Sequence, residues 1–290
     1  MTKLYEKLIK QCPSESEIRR ELKKVSETVA IIPDKYLLMT ILNCLDLTSL
    51  NTSDNKSHIL HLTGKINSFS GRFTNIPNVA ALCVFPNFVP LVKEKLTVKT
   101  VKIASVAGGF PSSQTFRSIK LAECKMALES GADEIDMVIS VGSFLSNDYA
   151  AVADEIREIK EAVGNKNLKV IIESGLLGDH ENIFKASMIV MDAGADFIKT
   201  STGKVNISAT PEAAFVMCRA ISYFYSETGI KVGFKPAGGI VTVNDAISYY
   251  RITEHCLGKE WLNNNYFRIG SSRLANNILS EIAGERHDHF

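Results

Sequence analysis

Two lysines stand where lysine is costly. Lys199 lies in the apolar run FIKTS (197–201) and Lys235 in VGFKP (232–236). A buried charge is expensive unless it is paired or used in chemistry. One such lysine reads readily as half of a structural ion pair. Two on neighbouring strands would repel each other, and the repulsion suggests a use. A second ammonium and partial desolvation both lower the pKa of the first. A neutral amine attacks a carbonyl carbon, and a lysine beside another cation is one route to that nucleophile. Asp136, in ADEIDMVI (132–139), has the right chemistry to take and return protons through a water. The alternative to that use is a salt-bridge partner that merely neutralises one lysine. Asp46 and Glu173 also fall inside or just after apolar runs.

A second group of residues is rich in glycine. TSTGK (200–204) follows Lys199, PAGG (236–239) follows Lys235, and GSS (270–272) runs directly into a helical pattern. Glycines let backbone N–H groups approach anionic oxygens, and a helix N-terminus favours a phosphate. Lys204 adds a point charge. Thr202, Gly203, Gly238, Gly239, Ser271 and Ser272 are the candidate contacts. Each glycine pattern alone is also what a tight strand-to-helix turn requires.

These residues need strands to place them. A short apolar run followed by a polar-flanked helical pattern recurs roughly every 30 residues, as in a βαβ chain with a parallel sheet. The predicted strands are 37–46, 78–85, 100–107, 132–139, 168–174, 195–201, 230–236 and 266–272. Eight units fit a closed (β/α)8 barrel, and an open sheet accommodates them too. In a barrel, the C-terminal strand ends form the active face, and the charged residues fall there. The intervening helices have their own punctuation. Thr210 and Pro211 suit an N-cap and first helical position. The joints GADEIDMV and GADFIKTS echo each other, with Gly131 and Gly194 placed to end a helix. The expected organisation is an N-terminal helical extension (1–35), a barrel (36–283) and a polar C-terminal tail (284–290). Residues 14–31 read as a charged amphipathic helix, expected to pack across the barrel bottom or at a subunit contact. The tail, with His287 and His289, is expected to be mobile.

Composition narrows the function. The 290 residues carry 33 Lys+Arg against 32 Asp+Glu, a balance that argues against nucleic-acid binding. The sequence has no run of about 18 apolar residues, so no membrane span is expected. Its first residues lack the apolar core of a signal peptide. Six cysteines (12, 44, 83, 124, 218 and 256) form no C-x-x-C pair and read as reduced thiols of a cytoplasmic protein. His58 and His61 have ligand-like spacing but no third ligand nearby, so no metal site is expected.

FIKTSTGK (197–204), VGFKPAGG (232–239) and EIDMV (134–138) together resemble the deoxyribose-phosphate aldolases, from about Asp46 to the helix after Gly270. The resemblance implies a (β/α)8 aldolase without metal or other cofactor, with Lys199 as the Schiff-base lysine, Lys235 lowering its pKa, and Asp136 relaying protons. It implies reversible cleavage of 2-deoxy-D-ribose 5-phosphate to D-glyceraldehyde 3-phosphate and acetaldehyde, in deoxyribonucleoside catabolism. Asp46, Thr48 and Cys83 resemble positions lining that family's substrate pocket, while Gly203, Lys204, Gly238, Gly239 and Ser272 resemble its phosphate and substrate contacts. The expected partners are small molecules, with a homodimer or tetramer left open. Another Schiff-base aldolase of sugar phosphates, and a non-catalytic sugar-phosphate binding protein, are the alternatives. The intact lysine pair and Asp136 argue against the second.

Three departures stand out. Val241 follows PAGGI where the family commonly has a cation. Arg273 stands where a hydroxyl is usual. The chain ends in Phe290, whereas some bacterial members end in a tyrosine that reaches the site; a phenyl ring cannot shuttle a proton. Arg273 either supplies the missing cation beside the phosphate or is a solvated residue in a first helical turn. On the first reading, Arg273→Ala raises KM for the phosphorylated substrate in steady-state kinetics; an unchanged KM leaves the second.

Overall fold

In the computed structural model, the described residues are 9–29 and 33–290. They contain eight strands: β1 (Leu45–Thr48), β2 (Ala81–Val84), β3 (Lys102–Ala107), β4 (Glu134–Val138), β5 (Asn167–Ile171), β6 (Phe197–Lys199), β7 (Gly233–Lys235) and β8 (Ile269–Ser271). Each pairs in parallel with its neighbours, and β1 also pairs with β8. Backbone hydrogen bonds from Phe234 N to Tyr266 O (2.8 Å), Arg268 N to Phe234 O (3.0 Å) and Gly270 N to Pro236 O (2.9 Å) join β7 to the β8 segment. These contacts close the sheet into a (β/α)8 barrel.

The helices are α1 (Glu15–Val29), α2 (Lys35–Asn43), α3 (Lys56–Arg72), α4 (Val89–Lys95), α5 (Arg117–Glu129), α6 (Val141–Leu145), α7 (Tyr149–Val163), α8 (His180–Asp192), α9 (Pro211–Thr228), α10 (Val243–Leu257) and α11 (Leu274–Ala283). Their starts are chemically marked. Asn55, Asp148, Asp179 and Thr210 each accept a backbone N–H in the first turn, and Thr242 with Asp245 forms a capping box. The Gly-Ala-Asp echo has a structural cause. Gly131 and Gly194 take φ of 108° and 99° at helix ends. The following Asp133 and Asp196 then accept Ile103 N (2.9 Å) and Leu168 N (2.7 Å), pinning each strand to the one before it.

Strand alternation separates two environments. Ile135, Val170, Ile198 and Phe234 face outward into the apolar layer beneath the helices. Their neighbours Asp136, Lys169, Lys199 and Lys235 face inward. A smaller apolar cluster of Leu50, Ala81, Cys83, Ala104 and Val106, with Phe85 and Phe110 packed on it, fills the β1–β3 side.

Three expectations need correction. The run 37–46 is not one strand: residues 35–43 form α2, capped by Asp34 accepting Leu37 N at 2.7 Å. Leu37, Leu38, Ile41 and Leu42 are its buried face, a helical spacing hidden in a continuous apolar run. The amphipathic N-terminal helix exists as α1 and packs on α9 and α10, so of its two expected placements the barrel bottom is the one corrected. Glu15 meets His180 at the start of α8, and Glu21 meets His255 near the end of α10. Residues 30 and 31, the end of the expected helix, lie outside the described residues. The C-terminal tail is docked. His289 Nε2 lies 2.9 Å from Lys65 O, Phe290 N donates to Asn276 Oδ1 at 2.8 Å, and the Phe290 ring stacks on Phe69 at 5.5 Å. An aromatic floor from Phe69 and Phe73 and the Asn276 side chain hold residues that look only polar in sequence.

Gly233 lies opposite Phe197 in the ladder, and a Cβ there would enter the Phe197 ring. Gly233→Ala is expected to cost about 1–3 kcal/mol by overpacking. Urea unfolding measures this, and an unchanged midpoint would show that the barrel floor has room.

Candidate active site

Asp136 is the point where three lysines meet. Its Oδ2 accepts from Lys199 Nζ and Lys235 Nζ, each at 2.7 Å, and its Oδ1 from Lys169 Nζ at 3.1 Å. The ladder sets this up: Lys199 and Lys235 are paired positions on β6 and β7, and Asp136 pairs with Lys169 across β4 and β5. Beneath them, Asp46 on β1 bonds Lys235 through Oδ2 and Arg268 through Oδ1 (2.6 Å). Glu134 on β4 bonds Lys169 at 2.5 Å and Arg268 at 2.9 Å. The Phe197 ring lies about 6 Å from both Lys169 and Arg268.

The two lysines of the pair differ in environment. Burial lowers the Lys199 pKa, and Lys235 lowers it further; Asp136 opposes both without overcoming them. Burial acts on Lys235 too, but Asp136 and Asp46 together hold its pKa well above the ordinary value. The carboxylate oxygen nearest Lys199 is already shared with Lys235, so it stabilises Lys199 less. Burial would raise the Asp136 pKa, yet Lys169, Lys199 and Lys235 hold it far below the carboxylate range. The arrangement supplies one amine biased toward its neutral form, one fixed ammonium, and an ionised carboxylate between them.

A cavity of about 230 Å³ opens above Lys199. Thr48, Leu50 and Asn51 line it from the β1 loop. Thr202, Gly203 and Lys204 line it after β6, Gly238, Gly239 and Val241 after β7, and Ser271, Ser272 and Arg273 after β8. Gly203, Gly238 and Gly239 have φ of 76°, 84° and 79°, a left-handed backbone that glycine alone adopts freely. Glu173 organises the β6 loop from below: its oxygens accept Thr202 N at 3.1 Å and Thr202 Oγ1 at 2.5 Å, and Thr202 Oγ1 accepts Lys204 N at 3.1 Å. Burial raises the Glu173 pKa, partly offset by these bonds.

The sequence-predicted residues thus come together, with distinctions. Asp46 is sealed under the lysines rather than exposed to the cavity. Thr48 lines the cavity while its hydroxyl donates to Asp46 O. Cys83 is buried beside the cluster, and burial with Asp136 pushes its thiol up to about 11, so it is no thiolate nucleophile. Ser271 spends its hydroxyl on Ile240 O at 2.8 Å. Lys204 Nζ crosses the cavity mouth to Leu50 O at 2.5 Å. Ser272 and Arg273 are exposed at the rim. Sequence reasoning missed Lys169, Glu134 and Arg268. The signal was present: each is a charge inside a strand segment, and Glu134 is two residues before Asp136, hence on the same face. Among the described residues, no group of three or more His, Cys, Asp or Glu is placed to hold a metal ion.

The barrel thus holds a buried lysine pair, of which Lys199 lines the cavity. Residues 40–255 match the model of the DeoC/LacD family aldolases. The chain is 41% identical over 255 residues to a deoxyribose-phosphate aldolase of Homo sapiens, covering 84% of this chain and 80% of that protein. It is 42% identical over 255 residues to that of Bos taurus, with the same coverage. The fold is shared with a tetrameric deoxyribose phosphate aldolase from Aeropyrum pernix, at a TM-score of 0.67 and 23% identity over 92% of this chain and 98% of that one. The chain belongs to the DeoC/LacD aldolase family, and it is an enzyme of the aldolase class.

The buried carboxylates make stability depend on acid. Folding lowers the pKa values of Asp46, Glu134 and Asp136. Their stabilisation is therefore fully present above the unfolded values and is lost as pH falls through the folded ones. Urea midpoints are expected to hold above about pH 5 and to fall progressively below about pH 4. A midpoint constant down to pH 3 would contradict the ionised cluster.

Proposed function

We propose that this aldolase reversibly cleaves 2-deoxy-D-ribose 5-phosphate to D-glyceraldehyde 3-phosphate and acetaldehyde, with Lys199 as the Schiff-base nucleophile. The observation that carries this reading is the sharing of one Asp136 oxygen by Lys199 and Lys235, at 2.7 Å each, beneath a glycine-lined cavity. The mammalian relatives' names support the choice of substrate.

Neutral Lys199 attacks the aldehyde carbon of the open-chain sugar phosphate. Loss of water gives an iminium ion. The hydroxyl on the third carbon gives up its proton, and the bond between the second and third carbons breaks. That electron pair moves into the iminium, leaving an enamine as glyceraldehyde 3-phosphate departs. The enamine takes a proton on carbon, and water releases acetaldehyde and Lys199. Lys235 stays cationic and biases Lys199 toward the free amine. Asp136 moves protons through water. At the far end, the glycine loops, Ser272, Lys204 and Arg273 grip the phosphate. Binding energy realised there helps to orient the reacting carbon.

This activity would serve deoxyribonucleoside catabolism. Six free thiols suit a reducing cytoplasmic compartment. A homodimer or tetramer is the expected assembly, and the tetrameric relative from Aeropyrum pernix supports it. Among the described residues, no helix is long and apolar enough to cross a membrane.

Reduction of the protein with borohydride in the presence of acetaldehyde is expected to attach one ethyl group to Lys199, in the presence or absence of chelator. Peptide mass spectrometry locates it. Adduct on another lysine, or none, would remove the nucleophile from the proposal. Deoxyribose 5-phosphate is expected to be cleaved far faster than ribose 5-phosphate or unphosphorylated deoxyribose.

A further inference from the structure

The barrel interior holds an unequal set of charges. At the level of the strands, Lys169, Lys199, Lys235 and Arg268 are four cations and Asp46, Glu134 and Asp136 are three carboxylates; the buried carboxyl of Glu173 lies beyond β5, is bonded to Thr202, and burial raises its pKa. All seven are nearly or fully buried. Lys169 contacts all three carboxylates, Lys235 contacts Asp46 and Asp136, and Arg268 contacts Asp46 and Glu134. Lys199 contacts Asp136 alone among them, at an oxygen shared with Lys235. An uncompensated charge in such a place is costly. The set becomes balanced, three against three, when one cation gives up its proton.

We infer that Arg268 and Glu134 are positioning residues of the reaction: neither bonds Lys199, and together they fix the charge count that makes Lys199 the amine to lose its proton. Arg268 occupies one oxygen of Asp46 and both of Glu134, through contacts of 2.6–3.2 Å. Those carboxylates are thereby partly spent on a cation that never deprotonates at working pH. Asp136 is left to serve three lysines. Without Arg268, the remaining lysines would match the carboxylates one for one, and Lys199 would have no reason to be neutral. Without Glu134, the excess would be two.

The groups facing Lys199 come from most of the barrel. Asp46 belongs to β1, Cys83 to β2, Glu134 and Asp136 to β4, Lys169 to β5 and Lys235 to β7, with Arg268 just before β8. Glu173, Lys204 and Arg273 stand in the loops above. On β3, the inward positions beside Glu134 and Asp136 are Ala104 and Val106, which do not ionise. The lowered pKa of Lys199 and the raised values of Lys169, Lys235 and Arg268 agree with this division.

The inference rests on Lys199 as the nucleophile, and the test separates the two. The readout is the initial rate of Lys199 ethylation by acetaldehyde and cyanoborohydride, mapped by mass spectrometry from pH 5 to 10. Arg268→Met is expected to move the acid limb of that profile upward by about one pH unit, the scale of one buried charge at an effective dielectric near 20. Glu134→Gln is expected to move it downward by a similar amount, and the double variant to return it toward the parent position. A purely structural role lowers the rate at every pH and leaves the limb in place, which overturns the inference. So does movement of both single variants in one direction. Should Arg268→Met fail to fold, Glu134→Gln and the charge-conserving Arg268→Lys decide: downward for the first and unmoved for the second, any other pattern overturning it. A parent protein with no adduct at Lys199 at any pH overturns the nucleophile assignment and this inference with it. A parent adduct with coincident limbs overturns this inference alone.

Discussion

The interaction on which the rest depends is the sharing of one carboxylate by three lysines. Asp136 cannot satisfy Lys169, Lys199 and Lys235 equally, because it has two oxygens and the lysines have unequal further support. Lys169 and Lys235 reach other carboxylates deeper in the barrel, and Lys199 does not. The inequality is geometric before it is chemical. It follows from strand register, which sets Lys199 directly beside Lys235 and leaves both facing Asp136. A one-residue slip of either strand would turn its lysine outward into the apolar layer.

The scaffold around this point divides its labour. Closely paired parallel strands fix the ionic interior, while the loops beyond them shape the cavity. Glu173 connects the two levels. It sits at the end of β5 in a left-handed conformation (φ 53°), unusual for a residue with a side chain, and bonds the β6 loop twice. Backbone strain of this kind persists where the surroundings determine it, and here it aims a carboxylate at the start of the glycine loop.

Much of this was legible in the sequence. Lys199 and Lys235 were visible because a charge inside an apolar run violates a strong rule. The glycine loops were visible because they repeat after successive strands. The (β/α)8 pattern was readable from the alternation of runs. Other features were hidden for physical reasons. Residues 37–46 look like a strand because a helix buried on a broad face and a buried strand both read as unbroken apolar runs. Lys169, Glu134 and Arg268 obey the same rule that exposed Lys199, but their partners lie up to 222 positions away, as Arg268 and Asp46 do, and only closure of the barrel brings them into contact. The docking of the tail was hidden because it depends on Phe69, Phe73 and Asn276 from elements that a local pattern does not connect to residues 287–290.

Lys204 gives the cavity a property that a list of its contacts does not convey. Its ammonium reaches across the mouth to the Leu50 carbonyl, joining the sixth loop to the first. The ammonium has three donor hydrogens, so it can keep the Leu50 carbonyl and still offer a bond to the cavity that Lys204 lines. Leu50 also belongs to the apolar cluster with Cys83 and Val106. The glycine-lined end of the cavity and the apolar wall are therefore joined through the Lys204 side chain.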